Sequence, residues 1–160
     1  MRKLICLSLL LLLAVNSNKS INNTFTLKIK KEAKKEKSDW TYKDTYLFLK
    51  ENGCKFPLES TAQTIGESGW LYSSNLAKNG NNIIGMMLPK KRKTTAIGKY
   101  LNHAKYNSKE DCLRDLILWQ EYTKADNNYL EHLLHSRYCL DSNYIKNYLP
   151  SIIERLKNNL

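Results

Sequence analysis

The sequence predicts a mainly α-helical fold of the α+β type, with one short, irregular lobe of strands and loops. After residue 38, apolar residues recur at helical spacing over most of the chain, and capping residues and prolines mark the helix ends. Between residues 81 and 106 this pattern breaks, because glycines and a proline separate β-branched residues there. With 160 residues and 42% hydrophobic content, the chain is expected to form one globular domain.

The first 37 residues differ from the rest of the chain in composition. Arg2 and Lys3 precede an apolar run from Leu4 to Val15, which is short for a membrane span. Such a run is typical of a secretory signal peptide, predicted at 1–17, and an uncleaved N-terminal anchor is the alternative. Residues 18–37 begin with Asn, Ser and Thr and continue into a Lys-rich run from Lys28 to Lys37, which predicts a basic disordered linker. The folded domain is therefore expected at 38–160.

The predicted helices begin at recognisable start signals. Ser38 is expected to cap a helix that runs to about Glu51, with Trp40, Leu47 and Phe48 in apolar contacts. The other predicted helices are one over about 58–68 opened by Pro57, a short one from Ser73 or Ser74 to near Gly80, one capped by Ser108 with Asp111, one over about 127–135, and one from Ser142 to about Leu156 that Pro150 kinks or splits.

Charge indicates the kind of partner. The formal net charge of +11 favours anionic partners or surfaces. Because the sequence predicts an export signal and contains no nucleic-acid recognition motif, anionic polymers of the cell envelope are expected rather than nucleic acid. The protein is expected to be a secreted or periplasmic monomer, without stable membrane insertion once the signal is removed.

Cysteines and histidines predict no cofactor. Once Cys6 leaves with the signal, the other three cysteines allow either one disulfide and one thiol or three buried thiols. They are Cys54, Cys112 and Cys139. His132 and His135 lie three residues apart on a predicted helix, but no third ligand stands in a recognisable motif, so no metal site is predicted.

One stretch places a single carboxylate near the end of a predicted helix. It reads Ala62-Gln63-Thr64-Ile65-Gly66-Glu67-Ser68-Gly69-Trp70. The negative end of a helix and the apolar neighbours Ile65 and Trp70 are both expected to raise the pKa of Glu67. A general acid that works near neutral pH needs such a shift. The alternative is a glutamate on a solvated helix surface.

The same stretch and its continuation resemble the glucosaminidase family of bacterial cell-wall hydrolases, which is similar to glycoside hydrolase family 73 and belongs to the lysozyme-like superfamily. The motifs that carry the resemblance stand in order over about 40–157. They are Ala62, Gln63 and Glu67-Ser68-Gly69-Trp70; Ser74, Leu76 and Ala77; Asn81, Asn82 and Gly85; Lys91 to Ala96; Ala104-Lys105-Tyr106; Asp115 with Leu118-Trp119-Gln120; and Tyr138 to Ile145.

The resemblance implies a lysozyme-like helical domain and a set of site residues. Glu67 would protonate the glycosidic oxygen, and Tyr138 would line the site and help to stabilise the transition state, unless it is a packed core aromatic. Asp141 is expected to order the turn before the last helix. The residues implied to bind substrate are Trp70, Asn82, Gly85, Tyr106 and Asp141.

The sequence departs from the usual pattern in one important respect, because no Asp or Glu occurs between Ser68 and Lys109. Glycosidases usually use two carboxylates. Attack by the 2-acetamido oxygen of the substrate, or by its 6-hydroxyl as in lytic transglycosylases, would need only one acid. The predicted activity is cleavage of β-1,4 bonds of N-acetylglucosamine in peptidoglycan, and the alternative is a weakly active or inactive glycan-binding protein of the envelope.

The acid-free stretch is also rich in cations. They form either a solvated face or a groove for an anionic polymer. The seven cations are Lys78, Lys90, Lys91, Arg92, Lys93, Lys99 and Lys105.

Overall fold

The computed structural model describes residues 40–136, 138 and 141–160. The predicted signal peptide and linker, Ser38 and Cys139 lie outside the described residues. The compact unit spans Asp39–Leu160. Its elements are α1 (Tyr42–Glu51), α2 (Pro57–Ser68), α3 (Asn75–Gly80), β1 (Gly98–Tyr100), β2 (His103–Lys105), α4 (Lys109–Tyr122), α5 (Tyr129–His135), a π-helical segment (Tyr144–Tyr148) and α6 (Leu149–Lys157).

The predicted class, mainly α with a small non-helical lobe, is confirmed. Helix α2 is largely buried, and its main helix–helix contacts are with α1 and α6. The small lobe consists of the antiparallel hairpin β1–β2 and the loop before it, and the hairpin packs against α3. In the hairpin, Gly98 pairs with Lys105 and Tyr100 pairs with His103.

The start of α1 differs from the prediction. The helix begins at Tyr42, and its N-cap is Thr41, whose side chain accepts a hydrogen bond from Asp44 N while the Asp44 carboxylate accepts one from Thr41 N. This reciprocal capping box satisfies two backbone donors, which explains why the helix starts here and not after Ser38. The predicted contact of Leu47 is also wrong, since this side chain is 51% exposed and Leu49 is buried in the core instead.

Most other helix boundaries agree with the predicted signals. Pro57 occupies the first position of α2, and the side chains of Ser74 and Ser108 cap α3 and α4. Pro150 splits the last helix as predicted, because the chain forms the π-helical segment before it and regular α-helix from Leu149 onward.

A buried ion pair fastens the loop before the hairpin to the helical body. The Arg92 guanidinium donates to both carboxylate oxygens of Asp115 on α4, at 2.7 and 3.0 Å, and both side chains are almost completely buried. The hydroxyl of Tyr106 donates to the same carboxylate at 2.8 Å. Arg92 therefore belongs to the interior, and the predicted basic groove has six cations on this count and not seven.

Within the part of the chain that the structure describes, no helix combines the length and apolar character that crossing a bilayer requires.

Candidate active site

Glu67 is the penultimate residue of α2, and its side chain is exposed to solvent. Protein atoms nevertheless crowd one side of the carboxyl group, and this desolvation raises the pKa of Glu67 above its usual value. The nearby Tyr144 hydroxyl and the charge of His103 act in the opposite direction and lower the pKa of the same group. Desolvation is the largest of these effects, so the carboxyl group is biased towards the protonated form.

Tyr144 reaches the Glu67 carboxyl from the π-helical segment. Its hydroxyl passes directly over Gly66, at a position where a Cβ on residue 66 would overlap the hydroxyl oxygen and crowd the ring. The ring of Tyr144 also lies 5.7 Å from that of Tyr148. The sequence motif contained both Tyr144 and Gly66, but their pattern assigned no role to either residue.

The segment from Ile83 to Gly85 forms a wall beside the acid. Ser68 Oγ donates to the Ile83 carbonyl at 2.8 Å, which ties this segment to the end of α2. Gly85 has a φ of +70°, a conformation that favours glycine. A Cβ at Gly85 would come within 3.4 Å of Glu67 Oε2, so the missing side chain leaves that side of the carboxyl open.

Tyr138 contacts the same segment at Ile84. Its hydroxyl donates a hydrogen bond to the Ile84 carbonyl, and its ring lies edge-on to Trp119, 5.4 Å away. Burial, followed by the negative charge of Glu67, raises the pKa of Tyr138 well above its usual value. The structure therefore brings three predicted residues together, namely Glu67, Gly85 and Tyr138.

Asn82 and Tyr106, two predicted substrate-binding residues, lie inside the protein. The Asn82 amide is completely buried and donates to the carbonyls of Met86 and Ala104 at 2.9 and 2.8 Å. Its Oδ1 accepts from Met86 N at 3.0 Å. Tyr106 is 1% exposed, and its hydroxyl is bonded to Asp115. Both side chains hold the small lobe in place, so neither is positioned to contact a glycan directly.

Trp70 and Asp141 also have neighbours of their own. The Trp70 ring lies edge-on to Tyr42 of α1, and the Arg155 guanidinium of α6 stands 4.5 Å above its centre. Trp70 therefore packs against the first and last helices. Asp141 is exposed, and its Oδ1 accepts from Asn143 N at 2.9 Å. It thus orders the turn before the π-helical segment, as expected.

Burial also shifts the pKa of two cysteines and one histidine outside the predicted site. Cys54 and Cys112 are buried free thiols, and burial raises the pKa of both, for Cys112 to about 12. His132 Nε2 lies 2.9 Å from Thr123 Oγ1, and desolvation lowers the pKa of this histidine. Among the described residues, no group of three His, Cys, Asp or Glu side chains is arranged to hold a metal ion.

The described residues thus form a mainly helical domain in which one acidic side chain, Glu67, lies beside Gly85. Residues 55–158 match the family Glucosaminidase, described as mannosyl-glycoprotein endo-beta-N-acetylglucosaminidase. The match covers more than half of the chain, and the chain belongs to this family. Glycoside hydrolysis is therefore the general activity of the domain. No curated protein and no solved structure matches the chain.

Proposed function

We propose that this protein is a secreted or periplasmic peptidoglycan hydrolase that cleaves β-1,4 bonds of N-acetylglucosamine in glycan strands, with Glu67 as the general acid. The observation that carries the proposal is the environment of Glu67. Its carboxyl group is open to solvent on one side and desolvated on the other, which favours the protonated form that an acid catalyst requires.

In the proposed reaction, the Glu67 carboxyl donates its proton to the glycosidic oxygen as the bond to the anomeric carbon breaks. The nearby Tyr144 hydroxyl favours the carboxylate that this transfer leaves behind. Tyr138 acts indirectly, because its hydroxyl is bonded to the Ile84 carbonyl and so holds the wall next to Gly85. Tyr138 is therefore a positioning residue in this proposal.

The choice of peptidoglycan follows from family and charge. The glucosaminidase family supplies glycan hydrolysis, and the net charge of +11 favours a substrate that carries carboxylates. Peptidoglycan strands bear carboxylates on their lactyl and stem-peptide groups. The apolar run at the start of the chain supports export to the compartment where this polymer lies.

The first prediction tests the general acid. Glu67→Gln keeps the size of the side chain but cannot deliver a proton, so turnover of purified peptidoglycan should fall by about 10²–10⁴-fold or more. Glu110→Gln, in the first turn of α4, is the matched control and should retain activity. Reducing ends and soluble fragments measure turnover, and melting curves show whether each variant is folded.

Two outcomes would contradict this proposal in different ways. A folded Glu67→Gln protein that cleaves at the wild-type rate would remove Glu67 from the mechanism. A wild-type protein that binds peptidoglycan tightly but releases no product would favour the non-catalytic glycan-binding function, to which the lack of a carboxylate between Ser68 and Lys109 already points.

A further inference from the structure

The small lobe carries no carboxylate, but it does carry one imidazole. His103 is the single histidine between Ser68 and Lys109, the stretch that lacks Asp and Glu. It begins strand β2 and is half-buried, so part of its ring remains open to solvent. A base that accepts a proton from water can be an imidazole as well as a carboxylate.

Backbone hydrogen bonds place β2 beside the wall of the site. Ala104 N, which follows His103, donates to the Met86 carbonyl at 2.9 Å. Met86 in turn directly follows Gly85, the residue that lies against the Glu67 carboxyl. The first residue of β2 is therefore fixed next to the segment that flanks the acid, and it comes from the other lobe.

The turn before His103 fixes the tautomer of its ring. Leu101 and Asn102 both adopt positive φ, +47° and +65°, and this tight turn brings the Leu101 carbonyl to 2.8 Å from His103 Nδ1. A carbonyl oxygen only accepts hydrogen bonds, so Nδ1 must be the nitrogen that carries the proton. In the neutral ring, Nε2 then holds the free lone pair, the form that a base requires.

We propose that His103, through Nε2, is the base that takes a proton from the attacking water in glycan hydrolysis. This inference rests on the proposed function of Glu67 and supplies the partner that the sequence lacks. It makes the reaction a direct displacement at the anomeric carbon, with no protein nucleophile.

Hydrolysis forms one bond and breaks one bond at the anomeric carbon. The water oxygen forms a bond to the anomeric carbon while the bond from that carbon to the glycosidic oxygen breaks. The leaving oxygen keeps the bonding electrons and takes the proton of Glu67, which becomes a carboxylate. The water loses one proton to His103, which becomes an imidazolium. Transfer of one proton from His103 to Glu67 through solvent restores both groups, and one water is consumed per bond.

Electrostatics supports the pairing of the two groups. The charge of His103 lowers the pKa of the Glu67 carboxyl, as the smallest of the three effects on that group. An imidazolium and a carboxylate would also stabilise each other immediately after the step. The other charged or titratable groups on the elements around His103 are Lys78 of α3, Lys99 and Tyr100 of β1, and Lys105 of β2.

The test compares His103→Gln with His135→Gln, an exposed histidine on α5, on the same peptidoglycan substrate. His103→Gln should lose about 10²–10⁴-fold in turnover, whereas His135→Gln should keep the wild-type rate. Added imidazole should restore part of the activity of His103→Ala.

Product stereochemistry gives a second readout that needs no variant. Direct displacement by water inverts the anomeric carbon, which nuclear magnetic resonance of the first products can detect. A retained anomer, an anhydro product, or a folded His103→Gln protein at the wild-type rate would overturn the role of His103 alone, provided that Glu67→Gln is inactive. Activity in Glu67→Gln, or none in the wild type, would overturn the proposed function as well.

Discussion

At the scale of single residues, Gly66 shows how the site constrains the sequence. Glycine inside a helix costs roughly 0.5–1 kcal/mol relative to alanine, so its place in α2 needs a reason. The reason is Tyr144, whose hydroxyl occupies the space that a Cβ would take on its way to Glu67. The sequence pattern predicted the acid from local spacing, but it could not reveal this contact, because the two residues are distant in the chain.

The role of Tyr144 leads to a prediction on pH dependence. Its hydroxyl favours the charged form of Glu67 and lowers the pKa of that carboxyl. Tyr144→Phe removes the hydroxyl, so the pKa of Glu67 should rise and the acid should stay protonated to higher pH. The alkaline limb of kcat/KM should therefore move to higher pH. Tyr148→Phe, in the neighbouring ring, is the control, and an unshifted limb in Tyr144→Phe would contradict the assignment.

At the scale of helices and loops, several motif residues hold elements together instead of binding substrate. Gln63 of α2 accepts a hydrogen bond from the Tyr129 hydroxyl of α5 at 2.5 Å. Gln120 of α4 donates to Ser60 Oγ of α2 at 2.8 Å and lies 3.5 Å from the Cys54 thiol. The sequence motif identifies these residues, but only the structure shows that they are buried and that they link helices to one another.

The same limit applies to the three segments that meet at Asp115. The sequence placed Arg92 in a basic groove and Tyr106 at the substrate, since charge and residue type do not distinguish a buried pair from an exposed one. In the structure, both side chains bond to the Asp115 carboxylate in the interior. This contact joins the loop before β1, the end of the hairpin and α4.

Removing Asp115 should therefore loosen the small lobe. Asp115→Ala leaves the Arg92 guanidinium buried without its ion-pair partner, which typically costs about 3–5 kcal/mol of folding free energy. Urea unfolding monitored by circular dichroism would measure the loss. Glu154→Ala breaks the exposed pair between Lys157 and Glu154, and as a control it should change stability by about 1 kcal/mol at most. Equal effects of the two substitutions would show that the internal pair does not stabilise the fold.

At the scale of the whole molecule, the order and type of the elements were predictable, whereas some boundaries and long-range contacts were not. Periodicity and caps identified each helix, because those signals are local. The start of α1 was misplaced because Ser38 and Thr41 are both good capping residues, and only the Asp44 side chain selects Thr41. Both strands lie within the stretch 81–106 where short strands or loops were expected, and they follow the loop that Arg92 anchors.

The surface charge of the small lobe leads to a prediction for the whole protein. Without Arg92, the acid-free stretch still carries six lysines, of which five are exposed. Those five are Lys78, Lys90, Lys91, Lys93 and Lys99. If they attract anionic wall polymers, binding should weaken as salt rises from about 0.1 M to about 1 M, since the screening length falls from about 10 Å to about 3 Å.

Sedimentation of the Glu67→Gln protein with purified cell walls would measure this binding without turnover of the polymer. Substituting alanine for Lys90, Lys91 and Lys93 together should weaken binding at low salt and flatten its dependence on salt, because three exposed charges are lost from one segment. A control with the same change in net charge replaces Lys43, Lys124 and Lys146, which are exposed on α1, after α4 and in the π-helical segment. If both triple variants weaken binding equally, total charge governs the attraction and the small lobe has no special part in it. If neither responds to salt, the attraction is not electrostatic.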